Sequence, residues 1–424
     1  MQRTTDRQVS GPIDDRLRAA GLPALPRSAW LEIDLDAVAS NFATIAALAG
    51  PGVPIMPVVK ADAYGHGALA VARALTMAGA AGFCVATFDE AVELRKGGIR
   101  LPVLVLYPVP AQWAVAAARA GISVTAGDLP SLKATLAATG ATRPRRRLEI
   151  HLEVETGLGR GGLMAGDVVA AARSIAEAAG ARFAGLWTHL QAPERPTSRD
   201  GQVALFEDVM TTLRAAGISL PRRHLRASAS LVNGSSVVDG GVASHDGVRP
   251  GLSIYGLVPD ELRGSPLAAA AGRLRPALSL HARAVRVAEL AAGWGIGYGP
   301  SFRTSRPSRI ATLPVGYGDG WSRSLSNRAE ALVRGVRVPT VGNVAMDAVM
   351  VDVTDVPGEP VSMDDEFVLI GRQGTAEIGA ADVAAVRGTN TWEVVAAMAR
   401  RLPRVYHAAS GPVAVRSLVS GGLG

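Results

Sequence analysis

The residues of this chain best suited to chemistry begin with a ten-residue string, VVKADAYGHG, at positions 58–67. Lys60 ends the apolar part of this string, where partial removal from water lowers the pKa of an ammonium from ~10.4 toward that of a nucleophilic amine. Such an amine can hold an aldehyde cofactor as an imine. On position alone, a lysine that reaches past a strand end into water is the more common arrangement, so Lys60 by itself leaves both interpretations open.

Other reactive side chains stand where apolar runs end or where glycines cluster. Arg160 closes the string TGLGR at 156–160, His189 follows the apolar start of WTHL at 187–190, and Tyr298 lies inside GIGYG at 295–299. Taken singly, a glycine-rich loop with one arginine is usually an ordinary turn, and a histidine at a strand end is usually structural. The place of Arg160 and His189 after strands, in a consistent order, favours a functional role.

These residues belong to a regular alternation of short apolar runs and alanine-rich segments of helical period. The predicted parallel strands, eight in all, are residues 53–60, 83–86, 101–106, 122–125, 148–155, 183–189, 224–227 and 248–255. Eight βα units with strands apolar nearly throughout are typical of an α/β fold with a closed (β/α)8 TIM-type barrel. Catalytic side chains are then expected at the carboxyl ends of the strands.

The chain changes character after about residue 265, where helical runs become scarce and Gly-, Pro- and Val-rich alternating stretches take over. This pattern predicts a second, C-terminal and mainly β domain. We therefore expect a flexible N-terminal extension at 1–27, a barrel at 28–264, a β domain at 265–410 and a tail at 411–424. The string TWEVVAAMARR at 391–401 predicts a short amphipathic helix.

Composition favours a globular enzyme without nucleic-acid or membrane partners. The 424 residues include 48% hydrophobic and 19% charged ones, with a net charge of +7. The arginine run at 143–147 has no interleaved aromatic residues, so a solvated loop is favoured over a nucleic-acid patch. Residues 1–27 lack the apolar stretch of a signal peptide, and no segment offers about 18 uninterrupted apolar residues. With a single cysteine, Cys84, these features predict a cytoplasmic protein; no metal site is expected.

The string at 58–67 resembles the cofactor-binding signature of the alanine racemases, a family of pyridoxal-phosphate enzymes built on a (β/α)8 barrel plus a β domain. The resemblance covers roughly residues 28–408. It implies that Lys60 carries pyridoxal 5'-phosphate as a Schiff base and that Tyr64, four positions on, contacts the phosphate.

The resemblance extends to the later strand ends. It implies that Arg160 donates to the phenolic oxygen of the cofactor and to the substrate carboxylate, and that His189 lies beside the cofactor ring. Arg249, which opens RPGLSIYG at 249–256, would bind the pyridine nitrogen. Because arginine does not readily give up its proton, that nitrogen would stay largely unprotonated and the ring would be a weaker electron sink.

The phosphate of the cofactor has several further expected ligands. Ser228, in the string RASAS at 226–230, aligns with the phosphate serine of the family, although this string matches only in part and a turn serine stays an alternative. The backbone of Gly251 and Leu252 would also hold the phosphate. Trp392 stands where the family has a phosphate-binding tyrosine.

The second domain carries the other expected proton carrier. Racemisation needs removal of a proton on one face of a planar carbanion and delivery on the other. The resemblance implies that Tyr298 is the base for the L-enantiomer and Lys60 the base for the D-enantiomer, with His189 hydrogen-bonding both Tyr298 and Arg249. The strings PVGYGDGW at 314–321 and VAMD at 344–347 resemble substrate motifs.

In those two strings, Tyr317, Met346 and Asp347 are the expected substrate-binding residues. Family members contribute these second-domain groups from the neighbouring subunit of a head-to-tail homodimer. The resemblance therefore implies that a monomer would be inactive and that the substrate is a small amino acid.

Several family positions are changed in this chain. Where the family commonly has a carbamylated lysine that orients the loop arginine, this chain has Glu153, which supplies a negative charge directly. Trp392 replaces a tyrosine with a bulkier group that cannot accept a hydrogen bond, so a reshaped substrate pocket is expected. Ala227 and Ala345 replace an asparagine and a cysteine. Neither expected base is lost.

The first candidate function is alanine racemisation, which would supply D-alanine for the cell wall. Several other functions are alternatives to it. The changes at Glu153 and Trp392 leave open a racemase for serine or for an amino acid of a specialised pathway. Decarboxylases of the same architecture lack the 58–67 string and would need a cysteine in the second domain. A single-domain, non-catalytic pyridoxal-phosphate binding protein would lack residues 265–410, with Tyr298 and Asp347.

Overall fold

A computed structural model describes residues 11–142, 144–232, 247–259, 262, 272–409 and 411–419. Contacts divide the chain into two compact units. The barrel unit comprises Ala37–Ala63 and Gly67–Arg275, and the β unit comprises Met1–Asp36, Tyr64–His66 and Pro276–Gly424. The (β/α)8 barrel and the mainly β domain expected from the sequence are both present.

The strands of the described residues are numbered in chain order: β1 (Ala29–Asp34), β2 (Phe83–Val85), β3 (Val103–Pro108), β4 (Ile122–Ala126), β5 (Leu148–Glu153), β6 (Ala181–Trp187), β7 (Arg222–His224), β8 (Arg226–Ala227), β9 (Val248–Arg249), β10 (Leu278–Arg283), β11 (Arg286–Leu290), β12 (Ser308–Leu313), β13 (Glu330–Val333), β14 (Val336–Val341), β15 (Val349–Asp352), β16 (Glu366–Gln373), β17 (Ala376–Ile378), β18 (Arg404–Ala408) and β19 (Gly411–Arg416).

The helices are numbered in the same way: α1 (Ile13–Ala19), α2 (Leu35–Ala49), α3 (Lys60–Tyr64), α4 (Ala68–Met77), α5 (Phe88–Lys96), α6 (Ala114–Ala120), α7 (Leu129–Thr142), α8 (Val168–Glu177), α9 (Pro196–Ala215), α10 (Ser228–Val232), α11 (Ala380–Arg387) and α12 (Thr391–Ala396). Across the described ranges, we find no helix with the length and apolar character needed to cross a bilayer.

The barrel closes through eight parallel positions. Strands β2 to β7 form one parallel sheet in chain order, and β8, directly after β7, pairs in parallel with β9. The segment before Lys60 joins the two ends, because Ile55 bridges to Val248 and Val58 bridges to Cys84, both in parallel. Residues 54–60 therefore complete the ring as its first strand, as the sequence predicted.

The barrel helices cover the sheet with a narrow apolar face. In α8, the buried residues Val168, Ala171, Ala172 and Ile175 recur at the i, i+3, i+4, i+7 spacing of one helical face. Small alanines on that face let the helix lie close to the strands. This spacing is the feature of the sequence that predicted helices between the strands.

The β unit is built on one eleven-stranded sheet in which β1 is an interior strand, third from one end. Strand β1 pairs antiparallel with β10 and parallel with β18. The expected start of the barrel at residue 28 is therefore wrong, because β1 hydrogen-bonds into the other unit. Its apolar residues Trp30, Leu31 and Ile33 are fully buried there, and such a run fits either kind of sheet.

Both ends of the β unit are more ordered than the sequence indicated. Ile13 and Leu17, one turn apart on α1, are buried against Trp30 and Val405. Part of the expected flexible extension at 1–27 is thus a packed helix, while residues 1–10 lie outside the described residues. The expected tail at 411–424 begins with β19, whose backbone pairs antiparallel with β18.

A cluster of charged side chains lies between β1, β10 and β16. His281 Nδ1 lies 2.8 Å from a carboxylate oxygen of Glu366, and Glu32 pairs with Arg16 of α1. Burial acts to lower the pKa of His281, but Glu32 and Glu366 outweigh burial and raise it. Despite its burial, Glu32 has a pKa well below its usual value, because His281, His407 and Arg16 favour its charge.

This cluster predicts a pH dependence of stability. A histidine whose folded pKa lies above its unfolded value of ~6.5 stabilises the fold below that value, and the contribution disappears as pH rises through the folded pKa. We expect the free energy of unfolding of the wild type to fall above pH ~6.5 and to depend less on pH in His281→Gln. Urea denaturation at a series of pH values measures this free energy for both proteins. The same dependence of the free energy of unfolding on pH in both would contradict the role of His281.

Candidate active site

Lys60 begins a backbone turn with left-handed geometry. Residues 61–64 have φ between 51° and 56°, so four consecutive residues with side chains adopt the left-handed region. This conformation costs roughly 1–2 kcal/mol per residue and persists only where neighbouring groups hold it. Here a carboxylate oxygen of Glu90 accepts from the Ala61 N–H at 2.6 Å, and Asp62 accepts from the Ala68 N–H at 2.9 Å. The turn fixes Lys60 at the end of its strand.

The surroundings of Lys60 favour its neutral form. Burial is the main cause that lowers the pKa of its ammonium, and the charge of Arg160 adds to it, whereas Glu90 and Cys84 act in the opposite direction. The shift has the direction that the sequence suggested for a nucleophilic amine. A lysine of this kind carries and releases protons more readily than one in water.

Arg249, at the end of β9, is a buried cation. Its guanidinium donates to the carbonyl oxygen of His224 at 2.6 Å and to that of Thr188 at 2.8 Å. It also contacts Nδ1 of His224, and its central carbon lies 4.7 Å from the ring centroid of Trp187. Burial lowers the pKa of Arg249 to about 10, which still leaves it charged at neutral pH.

These contacts assign the proton positions of two buried histidines. Since a guanidinium only donates, Nδ1 of His224 accepts, and its ring proton lies on Nε2. That nitrogen is 2.9 Å from Nδ1 of His151, which accepts in turn. Burial lowers the pKa of His151 to about 4. Arg249 therefore contacts the neutral imidazole of His224, which donates in turn to the neutral imidazole of His151.

His189 follows β6 and is also neutral. Burial, with the charges of Arg249, Arg160 and Lys60, lowers its pKa to about 3. The sequence suggested a hydrogen bond between His189 and Arg249, and this stays a prediction. The guanidinium bonds to the His224 and Thr188 carbonyls at the strand ends.

Arg160 lies in a loop whose shape is set by two glutamates. A guanidinium nitrogen of Arg160 is 3.8 Å from a carboxylate oxygen of Glu153. Burial raises the pKa of Glu153, and Arg160 opposes the shift. Glu155 accepts from the backbone N–H groups of Leu158 at 2.7 Å and Gly159 at 2.9 Å. Sequence reasoning missed Glu155, although an acidic residue directly before a glycine-rich loop is a recognisable signal.

A buried glutamine joins the Arg160 loop to the strand end of His189. Gln202 donates to the hydroxyl of Thr156 at 3.1 Å and to the carbonyl of His189 at 3.3 Å. The Thr156 hydroxyl also lies 2.7 Å from that of Thr188. Gln202 lies in α9, outside both motifs, and nothing in the sequence identified it.

Ser228 lies beside the backbone of Gly251 and Leu252, the other residues expected to hold a phosphate. The hydroxyl oxygen of Ser228 accepts from the N–H of Gly251 at 2.9 Å and from that of Ser253 at 3.3 Å. Leu252 begins a short 3-10 helix that ends at Tyr255. The Tyr255 hydroxyl donates to the Val58 carbonyl at 2.8 Å and so ties this helix to the strand of Lys60.

The β unit presents the remaining predicted residues on its surface. Tyr298 is 77% exposed, Met346 53% and Tyr317 43%. Tyr298 lies in the connection between β11 and β12, and Tyr317 opens a short 3-10 helix that ends at Asp319. Such exposure of large side chains is typical of surfaces that another molecule covers.

A buried carboxylate organises the two substrate-type motifs. Asp319 is fully buried and accepts from Arg27 and from Arg401, each at 2.7 Å. The same Arg401 donates to Asp347 at 2.7 Å. The backbone N–H of Tyr317 also donates to the Ala345 carbonyl at 3.0 Å. The motifs at 314–321 and 344–347 therefore meet, through backbone contacts and through Arg401, which sequence reasoning had not identified.

Trp392 is the second residue of α12, which Asn390 caps by accepting from the N–H of Glu393. The chain after Tyr64 passes close to this helix, because a Cβ on Gly65 would lie 2.1 Å from the Val395 carbonyl oxygen. Only glycine allows that approach. Arg404, fully buried, donates to the Gly65 carbonyl at 3.0 Å.

Comparisons with known proteins agree with this architecture. The family model described as "Alanine racemase, N-terminal domain" matches residues 33–259. The model described as "Alanine racemase, C-terminal domain" matches residues 277–406. Together they account for most of the chain.

Relatives of similar length carry the same name. The chain is 40% identical over 382 residues to an alanine racemase of Symbiobacterium thermophilum, covering 90% of this chain and 97% of the relative. It is 38% identical over 386 residues to alanine racemase 2 of Caldanaerobacter subterraneus subsp. tengcongensis, covering 90% and 95%.

Solved structures show the same likeness. The alanine racemase of Bacillus anthracis with bound L-Ala-P has a TM-score of 0.85 at 31% identity, covering 94% of this chain and 100% of that one. A histidine racemase of Leuconostoc mesenteroides subsp. sake has a TM-score of 0.80 at 28% identity, covering 91% and 99%. With both domain models matched in order and relatives aligned over nearly their whole length, the chain belongs to the alanine racemase family.

Proposed function

We propose that this protein is a pyridoxal-phosphate-dependent racemase that interconverts L- and D-alanine. The observation that carries the proposal is that strand ends of the barrel unit carry both a lysine with a lowered pKa and a buried arginine bonded to the imidazole of His224. The relatives named alanine racemase support alanine as the substrate. We place the reaction in the cytoplasm, as a supply of D-alanine for the cell wall.

The residues present fit pyridoxal phosphate. The N–H groups of Gly251 and Ser253 converge with the Ser228 hydroxyl at the start of a helical turn, a backbone arrangement suited to a phosphate. Arg249 offers a fixed donor for a ring nitrogen, and Lys60 an amine for an aldehyde carbon. Residues that would hold the cofactor are Lys60, Tyr64, Arg160, His189, Ser228, Arg249, Gly251, Leu252 and Trp392.

When bound, pyridoxal phosphate acidifies the α-hydrogen of an amino acid by withdrawing electrons from the α-carbon. The chain's own residues then have to carry that proton on opposite faces of the substrate. Nζ of Lys60 would take or give the proton of the D-enantiomer, and Oη of Tyr298 that of the L-enantiomer. Two separate bases make inversion possible without rotation of the substrate.

Charged groups orient the small amino acid for these transfers. Arg160 suits the substrate carboxylate because its guanidinium has several fixed donors, and Glu153 beside it holds the guanidinium in place. Tyr317, Met346 and Asp347 would line the substrate side of the β unit, where Arg401 fixes the carboxylate of Asp347. His189 stays neutral and so adds no charge beside the cofactor ring.

We further infer that two copies pair head to tail and share their active sites. The exposure of Tyr298, Tyr317 and Met346 on a single chain supports this arrangement, since each residue needs a dry environment to act on substrate. Tyr298 of one copy would then serve the Lys60 of the other.

A racemase of another amino acid is the second candidate. Glu153 and Trp392 stand at positions that shape the pocket, and one structural neighbour is a histidine racemase. Incubation with a panel of L-amino acids, followed by chiral chromatography, separates the candidates. We expect alanine to be converted fastest; a clear preference for serine, histidine or another amino acid would overturn the choice of alanine.

Removal of the Lys60 amine tests cofactor binding. In Lys60→Ala we expect loss of the visible absorbance of the bound cofactor and a fall in kcat of at least about 1000-fold, because both the covalent link and one base are gone. The exposed Lys133 offers a matched control, and Lys133→Ala should keep both properties. An unchanged absorbance band in Lys60→Ala would rule out the link.

Neutralisation of Glu153 tests the orientation of Arg160. We expect Glu153→Gln to raise KM for alanine about 10-fold, equivalent to one charged hydrogen bond. The wild-type KM should also rise as pH falls through the raised pKa of Glu153, whereas the KM of Glu153→Gln should not. The exposed Glu177 provides the control, Glu177→Gln. Equal pH profiles of KM for wild type and Glu153→Gln would contradict this role.

A further inference from the structure

One side chain ties the loop of Tyr298 to the loop of Met346 and Asp347. The amide nitrogen of Asn343 donates to the backbone carbonyl of Tyr298 at 2.9 Å and to that of Gly299 at 3.2 Å. Asn343 begins the stretch that leads to Met346 within three residues. The loop proposed to carry a base and the loop proposed to face substrate therefore share a direct connection.

The orientation of the Asn343 amide is fixed from its other side. Its oxygen accepts from the hydroxyl of Ser301 at 3.2 Å, and that hydroxyl accepts from the amide nitrogen of Asn327 at 2.9 Å. Because the carbonyls of Tyr298 and Gly299 can only accept, the nitrogen of Asn343 must face them. The network has a single arrangement of donors and acceptors.

The backbone on both sides of the network is closely packed. The oxygen of Asn327, whose φ is 57°, accepts from the N–H of Gly342 at 2.6 Å. Gly342 itself has a φ of 76°, and a Cβ there would lie 2.6 Å from the carbonyl oxygen of Ile296. Glycine is thus required where the two loops touch, so a shift of one loop moves the other.

We propose that Asn343 is a positioning residue that sets the place of Tyr298 for proton transfer to and from the L-enantiomer. This inference rests on the proposed function. Asparagine is suited to the role because it offers two donors to two carbonyls and an acceptor to Ser301 at once. Aspartate has the same shape but no donor, so it would face two carbonyl oxygens with a repelling charge.

The test compares Asn343→Asp and Ser301→Ala with the wild type, all loaded with cofactor. A displacement of about 1 Å can cost 100-fold in rate, so we expect kcat to fall about 10- to 100-fold in Asn343→Asp and less in Ser301→Ala. The isotope effect of α-deuterium on kcat/KM should rise for L-alanine and fall for D-alanine, because only the step at Tyr298 becomes slower.

Controls separate positioning from general loosening of the fold. Arg303 donates to the Gly293 carbonyl at 3.0 Å in the same loop, outside the network, and Arg303→Ala should keep the ratio of the two isotope effects. Thermal unfolding and cofactor absorbance are measured for every variant. A rate loss in Asn343→Asp without a change in that ratio would overturn the inference. If Asn343→Asp does not fold, the ratio of the isotope effects for L- and D-alanine in Ser301→Ala tests the inference instead.

Tyr298→Phe distinguishes the two levels of the proposal. We expect it to lose at least about 100-fold in kcat with cofactor absorbance intact. If Tyr298→Phe keeps wild-type activity, the proposed base is wrong. If Tyr298→Phe is inactive while Asn343→Asp and Ser301→Ala keep the wild-type rate and isotope ratio, only the positioning role of Asn343 fails.

Discussion

The buried guanidinium of Arg249 organises the polar groups at the strand ends around it. Its bonds to His224 and to the Thr188 carbonyl hold it at the end of β9, and its charge helps to keep His151 and His189 neutral. A cation buried without an adjacent carboxylate would be costly, but here two carbonyl dipoles and an accepting imidazole surround it. Burial is the main cause of the low pKa of both histidines, and the charge of Arg249 adds to it.

In the β unit, polar contacts hold the loops that carry exposed side chains. Asp319 with Arg27 and Arg401 fixes the loops of Tyr317 and Asp347, and polar contacts among loops do the same for Tyr298. Hydrogen bonds to ionised groups are about twice as strong as neutral ones. Rigid loops of this kind lose little conformational freedom when substrate binds, which favours a reaction that needs accurate placement of two proton carriers.

The sequence predicted the parts of this protein that depend on local pattern. The alternation of apolar runs and helices indicated the barrel, and Lys60, Arg160 and Arg249 follow or end its strands. The sequence did not predict features that depend on long-range contacts. An apolar strand fits either sheet, so the place of β1 in the β unit could not be foreseen. The hydrogen bonds of Gln202 to Thr156 and His189 join separate segments and leave no local pattern. The sequence also did not predict the left-handed turn after Lys60, since alanine and tyrosine rarely adopt that conformation.

We propose that two different residues, Lys60 and Tyr298, carry the α-proton. Conversion of L-alanine in D2O, stopped early and read by mass spectrometry of the separated enantiomers, tests it most directly. Two bases predict that the D-alanine formed carries deuterium at its α-carbon, because the arriving proton comes from a group that has exchanged with solvent. D-alanine that retains the substrate's own α-proton in large part would show one base acting on both faces and would contradict the account.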